Sequence, residues 1–217
     1  MASVSVYGPN WSAYTRTVRL VLTEKEVEYD LKEVDFSSGV MPPDHFNFHP
    51  FGKVPVLEHG SYIIYETGPI CRYVDNAFNG PALQPSDAMQ LGRMAQLVAI
   101  VDTYLSTDIR MGFVNELLFK PMVDLVPDKE RVEKARESIS KGFDAIGNLV
   151  ANTNYLVGQK ITLADLHIAP LIYYLDKTPG GNDLISGQPK LANWWETIKS
   201  RRSIAMTEPD LRVFYSD

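Results

Sequence analysis

Along the first eighty residues the apolar positions change period several times. Ser3 to Tyr7 (SVSVY) alternates polar and β-branched residues, the pattern of a short half-buried strand, and Gly8-Pro9-Asn10 ends it. From Ser12 to about Val27, the apolar Val18, Leu20, Val21 and Leu22 keep company with Arg16, Arg19, Glu24 and Lys25. This predicts a helix with Ser12 at its N-cap. Tyr29 to Asp35 (YDLKEVD) alternates again, and strand, helix, strand favours a parallel pair with a right-handed crossover. Phe36 to Gly52 contains Pro42, Pro43 and Pro50 without a period, so a loop or one short helix is expected there. Val54 to Glu58 and Ser61 to Tyr65 read as strands joined at His59-Gly60, a tight hairpin. Thr67 to Phe78 carries Ile70, Tyr73, Val74, Ala77 and Phe78 at helical spacing.

Asn79 to Ser86 (NGPALQPS) is rich in turn residues, and beyond it strand signals nearly vanish. Ala88 to Phe119, Lys129 to Ala151, Leu163 to Asp176 and Pro189 to Arg201 all read as helices, an all-α bundle. The order is therefore βαβ-ββα over residues 1–78, a linker over 79–86 and an all-helical domain over 87–217. Its 217 residues suit two small domains.

Composition narrows the class. With 45% hydrophobic and 22% charged residues the chain can bury a core, which excludes disorder and low complexity. A net charge of −6 argues against long-range attraction to nucleic acid or to an anionic membrane, and favours small molecules or protein as partners. One cysteine, Cys71, can form no internal disulfide, which points to a reducing, intracellular and cytoplasmic setting. Met1 to Tyr7 shows neither a basic region nor an apolar run of the signal-peptide kind, and no stretch of eighteen apolar residues occurs, so neither export nor membrane spanning is expected. Asn10-Trp11-Ser12 fits the glycosylation triplet, which means little without a secretory context.

Three features of the first unit coincide: a Ser at a helix start, a Val-Pro opening a strand, and Glu-Thr opening the next helix. The stretches Tyr7-Gly8, Ser12-Ala13-Tyr14-Thr15-Arg16-Thr17-Val18, His49-Pro50-Phe51-Gly52-Lys53-Val54-Pro55-Val56-Leu57 and Tyr65-Glu66-Thr67 resemble the glutathione transferase family. Gly158 to Asp165 (GQKITLAD) resembles that family's second-domain signature, so the likeness spans both units. It is nearest to the serine-type phi and theta classes. The resemblance implies a thioredoxin-like first domain, a helical second domain shaping the acceptor site, and a homodimer. Glutathione is implied as co-substrate, with no metal or prosthetic group.

The resemblance makes Ser12 the catalytic residue, and elementary chemistry agrees. A hydroxyl at a helix N-terminus can donate to an anion, and the unpaired N–H groups there favour negative charge. A thiol of pKa about 8.5 is only about 3% ionised at pH 7, and lowering it by two units takes about 2.7 kcal/mol of differential stabilisation. The plain alternative is that Ser12 only caps its helix. Tyr7 is the rival donor, since tyrosine-type classes of the family use a Tyr at this end of the first strand.

For glutathione itself the family pattern implies a cis bond before Pro55, which turns the Val54 backbone outward to pair with the peptide ligand. It also implies that Glu66 and Thr67 hold the γ-glutamyl group and that Lys53 helps hold the glycyl carboxylate. As plain readings, Thr67 is an N-cap and Lys53 a solvated lysine. The chain departs from the phi pattern at Val40 and Met41, where a His or basic residue is usual, so the glycyl end falls to Lys53 alone or to His45 or His49. Trp11, Tyr14, Met111, Phe113 and Phe119 are candidates for the wall against the electrophile, and equally for core. Asp102 reads as a surface acid, or as an acid reaching a dimer partner's ligand. Thr162 and Asp165 form a capping box. Cys71 reads as core. His45 and His49 have a metal-like spacing, but no Glu follows His45 and Pro50 interrupts, so no metal site is expected. The reading is a glutathione transferase acting on a small, hydrophobic electrophile. Its alternatives are a glutathione-dependent peroxidase, dehalogenase or isomerase, or a non-catalytic glutathione-binding protein of the same fold.

Overall fold

The computed structural model describes residues 3–35, 39–151 and 153–211. Positions 36–38 of the expected loop and 212–217 of the expected helical domain lie outside the described residues. The chain divides into two compact units, Met1–Leu83 with Arg202–Asp210, and Gln84–Arg201 with Leu211–Asp217.

The first unit is a four-stranded sheet with helices. Its elements are β1 (Val4–Tyr7), α1 (Ala13–Glu24), β2 (Asp30–Lys32), a 3-10 turn at Pro43–Asn47, β3 (Val56–His59), β4 (Tyr62–Tyr65) and α2 (Thr67–Ala77). The strand order is β2-β1-β3-β4. β1 runs parallel to β2 and antiparallel to β3, and β3 runs antiparallel to β4. His59 pairs with Tyr62, so the hairpin turns at Gly60-Ser61, one residue later than its sequence suggests. This is the βαβ-ββα order that the alternation predicts.

α1 differs from its expected amphipathic form. Arg16 is fully buried, as nearly are Arg19 and Lys25, along with Val18, Leu20, Val21 and Leu22. Lys25 Nζ donates to the Asp75 carboxylate at 3.1 Å and to the carbonyls of Asp75 and Pro81. The arginines face the segment Arg202–Asp210, whose short helix α9 (Arg202–Met206) packs on α1. The expected helical domain ran unbroken to residue 217, but the structure returns 202–210 to the first unit. Buried guanidinium groups need acceptors, and that segment supplies them from nearly two hundred residues away.

The second unit is helical. α3 (Ala88–Ile100) continues through wide π-type turns at Val101–Leu105 and Asp108–Phe119 into α4 (Lys120–Met122). There follow α5 (Lys129–Leu149), α6 (Leu163–Asp176), α7 (Gly181–Ser186) and α8 (Pro189–Lys199). The sequence pattern missed α7 and α9, each of which is too short to display a helical period. α6 is buried from Leu163 to Leu175, as expected of a helix that is apolar on every side. No helix among the described residues is long and apolar enough to cross a membrane.

Candidate active site

Ser12 caps α1. Its φ and ψ are extended (−67°, 124°), and its Oγ accepts the Thr15 N–H at 3.2 Å. No acceptor holds its hydroxyl proton among the described residues. Gly8 makes this corner possible. Its φ is +151°, and a Cβ there would collide with Thr15 Oγ1 and press on the Val54 Cβ at 3.2 Å. Only a residue without a side chain lets the end of β1 approach both the first turn of α1 and the strand entry at Val54.

Tyr7 is committed elsewhere. Its hydroxyl donates to the Glu58 carboxylate at 2.6 Å, and its ring stacks on Phe48 with centroids 4.8 Å apart. The hydrogen bond to Glu58, with burial and that carboxylate's charge, pushes the phenol up to about 12.

The Val54–Pro55 bond is cis, as the family likeness implied. The residue before it is held from behind: His45 Nε2 donates to the Lys53 carbonyl at 2.7 Å. The Lys53 side chain is exposed, while the His45 ring is buried. At the other end of the hairpin, Glu66 takes a positive φ of 72° just before α2, and Thr67 is the first, buried residue of that helix. A non-glycine residue in this region costs of order 1–3 kcal/mol and is concentrated at functional sites. The Glu66 side chain is exposed, 3.9 Å from Nε2 of the buried His49. His49 packs on Tyr65 with centroids 4.5 Å apart, and its Nδ1 accepts the Phe51 N–H at 3.3 Å. Burial lowers its pKa, the Glu66 carboxylate opposing.

Within the first unit, Ser12 stands at the start of α1, Lys53, Val54 and Pro55 lie just before β3, and Glu66 and Thr67 lie at the junction of β4 and α2. The two histidines, expected as alternative holders of the glycyl carboxylate, are both buried beside expected site residues. His45 fixes the Lys53 backbone and His49 faces Glu66. Among the described residues no group of His, Cys, Asp and Glu side chains could hold a metal ion.

The family model described as "Glutathione S-transferase, N-terminal domain" matches residues 11–77, and that described as "Glutathione S-transferase, C-terminal domain" matches residues 94–202. The chain belongs to the glutathione S-transferase family. Its relatives include glutathione S-transferase F6 of Arabidopsis thaliana, 29% identical over 207 residues, covering 94% of this chain and 98% of that one. Glutathione S-transferase F11 of the same plant is 30% identical over 205 residues, covering 91% and 94%. The solved apo structure of glutathione S-transferase III superposes with a TM-score of 0.85 at 29% identity, covering 95% of each chain. The two Arabidopsis relatives are F-class, that is plant phi-class, transferases, one of the two classes the motifs most resemble. As a glutathione transferase, this protein takes glutathione as co-substrate.

Several acceptor-wall candidates have other surroundings. Phe113 is fully buried, with the Arg136 guanidinium 5.1 Å above its ring, and belongs to the core of the helical unit. Phe119 packs against Tyr174 at 5.5 Å, whereas Met111 is exposed. Trp11 and Tyr14, flanking Ser12, are half-buried. Asp102 accepts from Nε2 of the buried His167 at 2.7 Å, a partner within its own unit. Cys71 is buried in α2. The sequence reading missed Glu58 and the interior role of Arg16 and Arg19. The only signal for the arginines was their position within a run of apolar residues.

Proposed function

We propose that the Ser12 hydroxyl of this transferase donates a hydrogen bond that stabilises the glutathione thiolate, the thiol proton passing to solvent, and that the thiolate is directed at a small apolar electrophile. The sulfur forms a new bond to the electrophilic carbon, and the displaced group leaves with its electron pair. Val54 pairs through its backbone with the cysteinyl residue of the peptide. Glu66 meets the γ-glutamyl ammonium, and Thr67 with the first turn of α2 meets the adjacent carboxylate. Lys53 draws the glycyl carboxylate, its backbone held by His45. Trp11 and Tyr14, beside Ser12, favour an apolar acceptor. We assign the protein to the cytoplasm as a homodimer, the first on its lone cysteine and the second by family likeness.

The observation that carries this reading is the contrast between the two hydroxyls. That of Ser12 accepts one backbone N–H and meets no acceptor for its proton among the described residues, whereas that of Tyr7 donates to Glu58.

The test is the ultraviolet thiolate absorbance of bound glutathione against pH, in the native protein and in Ser12→Ala, with binding measured alongside. The native protein is expected to lower the thiol pKa by about a unit or more, and Ser12→Ala to abolish the shift without abolishing binding. Bound glutathione with an unshifted thiol in the native protein would instead mark a non-catalytic binder.

A further inference from the structure

Ser12 is held from the far end of the chain. Arg16, one turn beyond it on α1, is fully buried; its Nη2 donates to the Ile204 carbonyl at 2.9 Å and its Nε to Thr207 Oγ1 at 3.3 Å. The Thr207 hydroxyl in turn donates to the Ser203 carbonyl at 2.8 Å, and Thr207 is itself fully buried. Arg19 Nη1 lies 3.5 Å from both the Thr207 carbonyl and the Asn10 carbonyl. On the other side of Ser12, Asn10 Oδ1 accepts the Asp210 N–H at 3.0 Å, and the Ser203 hydroxyl donates to Glu24 at the end of α1. The segment Arg202–Asp210 thus grips the loop before Ser12 and the helix after it.

From this arrangement we infer that Arg16, Thr207 and Asn10 are positioning residues for thiol activation, the C-terminal segment acting as a brace that sets where the Ser12 hydroxyl points. The inference rests on the proposed role of Ser12. The physical reason is geometric. A hydroxyl stabilises a thiolate only within hydrogen-bond reach and alignment, and displacements of about 1 Å far from the chemistry can cost on the order of a hundredfold in rate. Ser12 sits on the first turn of its helix, where the backbone has fewest intrahelical bonds to hold it. The brace supplies fixed partners at two points flanking that turn. Glutathione binding depends on other elements, the β3 entry and the start of α2, so loosening the brace affects activation more than affinity.

The experiment is made on the full-length protein carrying Thr207→Val, Thr207→Ser or Asn10→Ala. Three quantities are read: the pKa of the bound glutathione thiol, kcat against KM for glutathione, and the melting temperature, which corrects for the folded fraction. Thr207→Val is expected to raise the bound thiol pKa by about half a unit and so lower kcat near neutral pH about threefold, with KM within about twofold of native. Thr207→Ser retains the hydroxyl and restores native values. Asn10→Ala moves the same readouts in the same direction at a site that is not fully buried, and carries the test if Thr207→Val does not fold. Should both folded variants melt earlier yet leave the bound thiol pKa and kcat native, the segment is a stabilising contact only and the inference fails. A native protein whose bound thiol is unshifted overturns the Ser12 role along with the brace, whereas a native shift that persists in the variants overturns the brace alone.

Discussion

Two helices in this protein begin with a hydroxyl at the N-cap, and they use it in opposite ways. At α1, Ser12 Oγ accepts one N–H from Thr15, and no acidic side chain takes its proton among the described residues. At α6 the capping box of Thr162 and Asp165 is formed, and it extends beyond the helix it starts. The Asp165 carboxylate accepts the Thr162 N–H at 2.7 Å, the Thr162 hydroxyl at 2.8 Å, the Leu156 N–H at 2.8 Å and the Trp194 indole N–H at 2.8 Å. Burial pushes this carboxyl's pKa up while the four donors oppose it. On the proposed role of Ser12, a cap whose proton is unspent can serve a ligand, whereas at Thr162 a buried acid takes the proton and the cap becomes a lock. The residue three places on decides which: Thr15 offers only its backbone N–H to Ser12, while Asp165 offers a carboxylate to Thr162.

The contrast is broken most severely at the lock. Asp165→Ala strands several buried donors, so its expected cost is about 3–5 kcal/mol in chemical denaturation. This exceeds the roughly 0.5–2 kcal/mol of an ordinary cap, and a loss confined to that lower range would reduce Asp165 to a simple capping residue. Ser12→Ala should do the reverse. It should lower kcat about a hundredfold, as removal of a preorganised donor does, while costing about 1 kcal/mol of stability. Steady-state kinetics beside a denaturation curve separates the two effects.

Glu66→Gln sharpens the distinction between activating the thiol and holding the peptide. The loss of a charge-assisted bond should raise KM for glutathione about tenfold or more with kcat nearly unchanged. A fall in kcat with native KM would move Glu66 into the chemistry. Tyr7→Phe tests the rival hydroxyl. Because that phenol is spent on Glu58, kcat should remain within about twofold of native at a stability cost of about 1 kcal/mol. A loss as large as that of Ser12→Ala would make Tyr7 the donor.

The smallest expected effect concerns His49. Its burial holds the folded pKa below the ordinary 6.5, so the unfolded chain binds the proton more readily. Stability from the neutral imidazole is then fully present above about pH 6.5 and is lost as pH falls through the folded pKa. Thermal melts of His49→Gln should show less decline than native protein across that acidic window.

The sequence by itself determined what depends on residues a few positions apart. The alternation of Ser3–Tyr7, the Ser12 cap, the Val-Pro strand entry and the Thr162–Asp165 box are legible because periods of two and 3.6 residues and N-caps operate within one or two turns. The family motifs at Ser12, Val54-Pro55 and Glu66-Thr67 share that property, so the candidate site is legible in the sequence. Tertiary structure alone decided the rest. The Tyr7 hydroxyl donates to Glu58, 51 residues away, Trp194 reaches Asp165 across 29, and Arg16 finds Thr207 across 191. Such pairings leave no periodic trace, because each joins two residues that are ordinary in their own neighbourhoods. What made them necessary was burial: a guanidinium or carboxylate taken out of water requires a partner, and which partner is available depends on how the chain returns to it.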